Sequence, residues 1–377
     1  MLPINHTDTF IENFSQLEDP RIHRQRLYPL IEIVFLVVCA KICGAESFRE
    51  YVRFGHAKII LLQERLPYAN GIPSKATLSR VFTLINPEIF KSCFIGWVRT
   101  LYVSVTNDVI PIDGKTLRGS HNSGEGAIHM VSAYSQKTHL VLGQQKVDEK
   151  SNEITAIPKL IDLIDVKGST VTIDAMGTQK KIAKKIINNE ADYILSLKDN
   201  HKNLLEDVSL YLDTEYNKPN RGTLLSSSEV DKGHGRIEER TCFVTDNIEW
   251  LSDKDKWQGL NAIVMVEAKR TVKDETTIER RYYLTSREAD PEYLNMAIRS
   301  HWVIENNLHW VLDVTMSEDK SRVRKDYAPE NLSIVRHISL NMLQEAKKSM
   351  KDISIKGLRK LAGWCDITLS KIIKYKF

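Results

Sequence analysis

The chain lacks a cysteine framework. Its five cysteines, Cys39, Cys43, Cys93, Cys242 and Cys365, contain no C-x-x-C pair. An odd, dispersed set argues against a disulfide scaffold and a zinc ribbon, and suits a reducing compartment. Low-complexity tracts and internal repeats are missing, which removes disordered arrays and solenoids from consideration. A membrane-spanning run is missing too. The most apolar stretch, Leu30 to Ala45, is short and carries Glu32 and Lys41, so it reads as a buried helix. With no basic leader before it, it is not read as a signal peptide. A cytoplasmic, nucleoid-associated protein with no membrane partner is expected. Charge of one sign is not in large excess either. The net charge is +4 and the pI near 8.6, which permits a polyanionic partner without requiring one.

What is present is a soluble composition, 42% hydrophobic and 27% charged over 377 residues, enough for two or three domains. Residues 1–105 read as a helical N-terminal domain. Within it, "NGIPSKATLSRVF" offers a turn at Asn70-Gly71 and Pro73, then a helix capped by Ser74. This is either a helix-turn-helix presenting Lys75, Ser79 and Arg80 to DNA or a plain helical hairpin. From about 107 the pattern becomes strand, hairpin, helix, strand, helix, strand, which implies a mixed sheet flanked by helices. A β-rich insertion over about 205–288 interrupts it. Asp290-Pro291-Glu292 then opens a helix expected to run to about Leu312. Residues 346–377 read as a basic helical tail. Residues 320–377 hold 14 Lys+Arg against 5 Asp+Glu, so the positive charge concentrates there.

Three carboxylates stand out. In "VIPIDGKTLRGS" an apolar strand ends on Asp113, with Lys115 and Arg118 close behind. Asp-Gly is a common turn pair, so a turn residue and a metal ligand are both open. "TVTIDAMG" is a second apolar strand ending on an acid, Asp174, and sheet chemistry gathers at carboxyl ends of strands. The helix from Pro291 carries an apolar stripe of Leu294, Ile298, Trp302, Leu308 and Leu312, with His301 and Glu305 on the same side. A core-facing Glu is costly unless paired or bound to a cation. Three such acids make a hard oxygen site suited to Mg²⁺ or Mn²⁺. Zinc held by His301, Glu305 and His309 is disfavoured, because the outer two are about 12 Å apart along a helix. Trp302 and Trp310 read as core residues.

These stretches resemble the DDE transposases of bacterial insertion sequences, in the group that includes the H-repeat-associated proteins. "IPIDGKTLRGS", "VTIDAMGTQ", "YILSLKDNH", "KGHGRIEER" and "HWVIENNLHWVLDVTMSEDKSR" carry the resemblance in this order, with "DPRIHRQRLYPL" and "GIPSKATLSRV" nearer the start. It covers nearly the whole chain. It implies a ribonuclease H-like catalytic domain over 106–345, with Asp113, Asp174 and Glu305 in the three acidic positions. It further implies Mg²⁺, with Mn²⁺ as a substitute, and double-stranded DNA as partner, engaged by a homodimer or higher assembly. Cleavage at mobile-element ends and strand transfer are the implied activity. Lys115, Arg118, Lys198, His234, Arg236 and Arg80 are the expected DNA contacts. The sequence departs from the wider group in two places. The Tyr, Arg and Lys that accompany the catalytic Glu there fall on Ile298, His301 and Leu312 here, and Lys75-Ala76 stands where an acid is expected before Thr77. A transposase-derived DNA-binding regulator and a plain metal-dependent endonuclease are the competing functions.

Overall fold

The computed structural model describes residues 6–102, 107–121, 126–148, 151–233, 235–273 and 275–374. The N-terminal layer holds α1 (His6–Phe14), α2 (Leu30–Ile42), α3 (Phe48–Ala57), α4 (Ile59–Gln63), α5 (Lys75–Leu84) and α6 (Pro87–Leu101). The apolar run is α2, buried along nearly its whole length. Its Glu32 is satisfied at one oxygen: Oε1 accepts the Tyr68 N–H at 2.8 Å, while Oε2 is buried without a hydrogen-bond partner among the described residues. Its Lys41 pairs with Glu46, and Arg359 donates to the Lys41 carbonyl.

The sheet begins with β1 (Val109–Thr116), β2 (His129–Tyr134) and β3 (Val141–Lys146). It continues through α7 (Glu153–Leu163), β4 (Thr170–Ile173), α8 (Lys180–Asn188), β5 (Asp192–Leu197) and α9 (Lys202–Asn217). The β-rich segment supplies β6 (Leu225–Gly233), β7 (Arg236–Thr245), β8 (Ala262–Val272) and β9 (Glu275–Thr285). All nine strands form one sheet, ordered β3-β2-β1-β4-β5-β9-β8-β7-β6. β1, β4 and β5 are parallel, and β2 and β3 run antiparallel beside them. This is the expected ribonuclease H-like mixed sheet flanked by helices. The inserted strands extend it: β9 pairs antiparallel with β5 through Ile194↔Thr285 and Leu197↔Tyr282.

After α10 (Pro291–His301) the chain continues in two π-helical turns, Glu305–His309 and Val311–Thr315. α11 (Ala328–Lys347), α12 (Ile355–Trp364) and α13 (Asp366–Lys374) follow. α11 is buried on nearly every side and packs against α2, α5, α6 and β3. The expected C-terminal tail folds back on the N-terminal helices. Leu358, Leu369, Ile372 and Ile373 join the same hydrophobic core as α2 and the sheet. Among the described residues, no helix is long and apolar enough to cross a membrane.

His337 of α11 is 1% exposed and lies against Phe94. Burial pulls its imidazole down to about 4. In acid the unfolded chain takes up a proton near pH 6.5 that the folded chain refuses, so stability rises with pH across this window. The His337 contribution is complete above pH 6.5 and falls away toward pH 4, by about 3 kcal/mol. His337→Leu should flatten that limb in urea titrations at pH 7, 6, 5 and 4. An unchanged limb would remove His337 from the account.

Candidate active site

The register of two parallel strands creates the site. Val109↔Thr170 through Ile112↔Ile173 pair β1 with β4. The next residue on each strand is an acid, so Asp113 and Asp174 emerge side by side. β4 ends at Ile173, but β1 does not end at Asp113. It continues to Thr116, with Asp113 opposite Ser132 and Gly114 opposite Val131 of β2. The expected strand end is therefore corrected: Asp113 sits mid-strand, at the point where β1 loses one partner and keeps the other. Gly114 is not a turn residue. A Cβ there would lie 2.0 Å from Glu153 Oε1 and 2.5 Å from His129 Nε2, two groups joined to each other at 2.6 Å.

Glu305 arrives from above, by a different route from the one its spacing suggests. Leu294, Ile298, Leu308 and Leu312 are buried as expected, but Glu305 is about half exposed, and Trp302 and Trp310 are 48% and 55% exposed. The cause is a break in the regular helix: α10 stops at His301, Trp302 lies in the turn beyond it, and the i→i+5 bonds of the π-helical turns that start at Glu305 rotate the later side chains off a 3.6-residue stripe. Glu305 therefore opens onto solvent, and neither Trp belongs to the core.

Asp113, Asp174 and Glu305 line one cleft of about 620 Å³, together with Lys198, His301 and Trp302. His301 Nδ1 lies 3.0 Å from Thr172 Oγ1 on β4. His309 Nδ1 lies 3.6 Å from Asp113 Oδ2 and 3.4 Å from Glu305 Oε2. One ligand atom from each of Asp113, Glu305 and His309 falls within 4.8 Å of the others. Asp174 lines the same cleft outside that close group, its Oδ1 accepting the Gly177 N–H at 3.2 Å. Burial first, then the charges of Glu305, Glu153 and Asp174, push the Asp113 carboxyl up to about 7. Burial likewise pulls the His309 imidazole below its ordinary range, and Glu305 opposes it. Clustered acids without a counter-charge have this signature.

The expected DNA contacts are scattered. Lys198 is exposed at the cleft rim. The side chains beside it serve the loop: Asn200 Nδ2 donates to the Ala175 carbonyl at 2.7 Å, and His201 Nε2 lies 2.6 Å from the Thr178 carbonyl oxygen. Arg118 is 79% exposed, 3.7 Å from Asp319. Lys115 is only 10% exposed. Its Nζ donates to Asp313 Oδ1 at 2.6 Å and Glu318 Oε2 at 2.8 Å, so this cation ties β1 to the segment following Glu305. Arg236 is exposed at the start of β7, 3.1 Å from Glu238, and His234 lies outside the described residues. Arg80 is exposed on α5, whose Ser74 cap accepts the Thr77 N–H at 3.2 Å. The stretch from Gln63 to Lys75 is longer than the 3–4-residue turn of a helix-turn-helix, which counts against that reading of residues 70–82 and leaves the plain helical pair.

Two of the quoted motifs dock on each other. A Cβ on Gly119 would lie 1.9 Å from the Ser321 carbonyl oxygen, and Arg324 Nε donates to the Gly119 carbonyl at 3.3 Å. Backbone cannot yield as a side-chain tip can. Gly119→Ala should therefore cost about 1–3 kcal/mol, read as a shifted denaturation midpoint, whereas an unshifted midpoint would mean the loop moves freely. The residue that sequence reasoning leaves out of the acidic site is His309. It is weighed with His301 and Glu305 as a zinc set and set aside because the two histidines lie too far apart, although its i,i+4 relation to Glu305 alone is the signal that brings it to the site.

Residues 106–342 match the family model described as Transposase DDE domain, and residues 11–98 match the DDE_Tnp_1-associated model. The chain is 39% identical over 345 residues to "Putative transposase YncI" of Escherichia coli O157:H7, covering 90% of this chain and 88% of the relative. It is also 39% identical over 345 residues to "H repeat-associated putative transposase YhhI" of E. coli K12, covering 89% of this chain and 90% of the relative. The chain belongs to the DDE transposase family, in its H-repeat-associated group.

Proposed function

We propose that this transposase cuts phosphodiesters at the ends of its mobile element and joins the freed 3′-hydroxyl to target DNA, with Asp113, Asp174 and Glu305 as the acids of its active site. The observation that carries the reading is the convergence of three acids, distant in sequence, on one open cleft. The donor set fits a divalent cation: hard carboxylate oxygens, one of them half-buried and destabilised as an anion by its neighbours. Asp113, Asp174 and Glu305 would hold it. When bound, Mg²⁺, or Mn²⁺ in its place, supplies Lewis acidity toward the phosphoryl group and lowers the pKa of the attacking hydroxyl.

The chain's own residues do the rest. The β1–β4 register fixes two acids on rigid strands, and the π-helical turn brings the third over them. Lys198 at the rim presents a cation to the DNA backbone, as does Arg118 beside β1. Lys115 holds the Glu305-bearing segment on β1. The paired DNA ends of such a reaction call for a homodimer or a higher assembly.

The test uses the full chain with Mg²⁺, a plasmid target and duplex DNA carrying the inverted repeats that flank the coding region. Joined products are expected. Cleavage without joining would make the protein an endonuclease, and binding without cleavage a regulator. Lys198→Ala should weaken binding to all DNA sequences alike and lower the salt slope by about one unit. An unaltered slope would exclude a phosphate contact at Lys198.

A further inference from the structure

We propose that His309 supplies a nitrogen ligand to the cation site, so that the site prefers Mn²⁺ to Mg²⁺. This rests on the reading of Asp113 and Glu305 as cation-holding acids and adds to it a ligand that the three acids do not include.

The argument begins with distances. His309 Nδ1 is 3.4 Å from Glu305 Oε2 and 3.6 Å from Asp113 Oδ2. Both exceed the roughly 2.7–3.2 Å of a good N–H···O hydrogen bond. The ring is thus bonded firmly to neither carboxylate and faces the space between them. Donors held ~2.1 Å from one ion stand about 3.0–3.6 Å apart at angles from 90° to 120°. The two separations match that range.

Burial makes the same point. His309 is 5% exposed, so packing fixes the ring with Nδ1 toward the two carboxylates and not Nε2, which has no hydrogen-bond partner among the described residues. A ring serving only to fill the core would not aim a polar atom at two acids. A ring serving only as a hydrogen-bond donor would approach one of them. His301 does not compete for the role, since its Nδ1 is engaged with Thr172 Oγ1 at 3.0 Å. The π-helical turn explains how the constellation arises. Glu305 and His309 are its first and last residues, and π-turns recur at functional sites.

The chemistry then sets the preference. Mg²⁺ is a hard ion satisfied by oxygen and gains little from imidazole. Later first-row ions gain from nitrogen donors, in the order Mn²⁺ < Fe²⁺ < Co²⁺ < Ni²⁺. Two carboxylates plus one imidazole therefore shift the site from an oxygen-only set toward Mn²⁺.

The test reads binding rather than turnover. Mn²⁺ is titrated into the metal-free full chain and followed by the loss of its free-ion EPR signal, with Mg²⁺ as competitor. Electron spin-echo modulation of bound Mn²⁺ should show a coupled nitrogen, and its frequencies should change when the histidines carry ¹⁵N. His309→Gln and His309→Ala should each weaken Mn²⁺ binding about tenfold or more, lose the nitrogen modulation and leave Mg²⁺ binding little changed. His301→Gln should keep the modulation. Unchanged Mn²⁺ affinity and intact modulation in both His309 variants would overturn the proposal while leaving the acids in place. So would absence of nitrogen modulation from the wild-type chain, a result that needs no variant to fold. Mn²⁺ binding that survives Asp113→Asn and Glu305→Gln would instead overturn the cation site itself.

Discussion

Asp113→Asn, Asp174→Asn and Glu305→Gln should each abolish cleavage and strand transfer while leaving DNA binding in place. Asn has nearly the size and shape of Asp without its charge, so the first exchange separates a structural acid from a functional one. Asp113 is mid-strand, and its backbone pairing with Ser132 does not depend on the carboxylate. Removing a negative charge there relieves repulsion from Glu305, Glu153 and Asp174. The metal-free variant should consequently melt at or above the wild-type temperature. The three losses should not add, because residues that serve one shared site fail together. Double variants should be no slower than single ones in a gel assay of nicked element-end DNA. Multiplicative losses would mean that the acids act separately.

Glu318→Gln should be the most destabilising single exchange near the site. Glu318 is 2% exposed. It faces Lys115 at 2.8 Å and Arg336 at 3.3 Å, both nearly as buried. Burial pushes its carboxyl up, yet Arg336 and Lys115 hold it below its ordinary value. Neutralising it leaves two cations close together in the interior, and breaking a buried network in this way costs about 3–5 kcal/mol. The melting temperature should fall by on the order of 10 °C. The damage should reach the chemistry as well, since Lys115 is two residues from Asp113 and anchors Asp313 beyond Glu305. Glu318→Leu combined with Lys115→Met and Arg336→Met should recover part of the loss, as apolar replacement of a whole buried ionic cluster often does. A melting temperature within about 1 °C of wild type for Glu318→Gln would show that water or Asp319 compensates.

Much of the catalytic sheet was legible because its signals are local. The apolar, β-rich runs of the β2–β3 hairpin, the apolar run of β4 and the acids closing "VIPID" and "VTID" need only neighbouring residues to be read. Asp113 and Asp174 could be paired without the structure because parallel strands gather their functions at one edge. Glu305 was found through a periodicity that its own backbone breaks. The apolar spacing pointed to the correct residue, but the end of α10 at His301 and the π-helical turns beyond it leave Glu305 facing outward, together with Trp302 and Trp310. No 3.6-residue template anticipates that. Non-local pairings were invisible for a different reason. Lys115 looks like a free cation beside an acid until chain closure brings Asp313 and Glu318 to it. The β-rich segment likewise reads as an insertion until β9 finds the open edge of β5. The basic C-terminal helices show composition but not packing, and Arg359 is buried against Glu46 rather than exposed to DNA.

Glu305→Gln offers the most direct test of the central claim, that this cleft is where the transposase cuts DNA. Glu305 is about half exposed and makes no close hydrogen bond that the fold depends on, so its loss has no ready structural explanation. Mg²⁺-dependent nicking of labelled element-end DNA should be measured for this variant and the wild type, with melting temperature alongside. The account predicts an unchanged melting temperature and no nicking. A normally folded Glu305→Gln protein that nicks at the wild-type rate would contradict it.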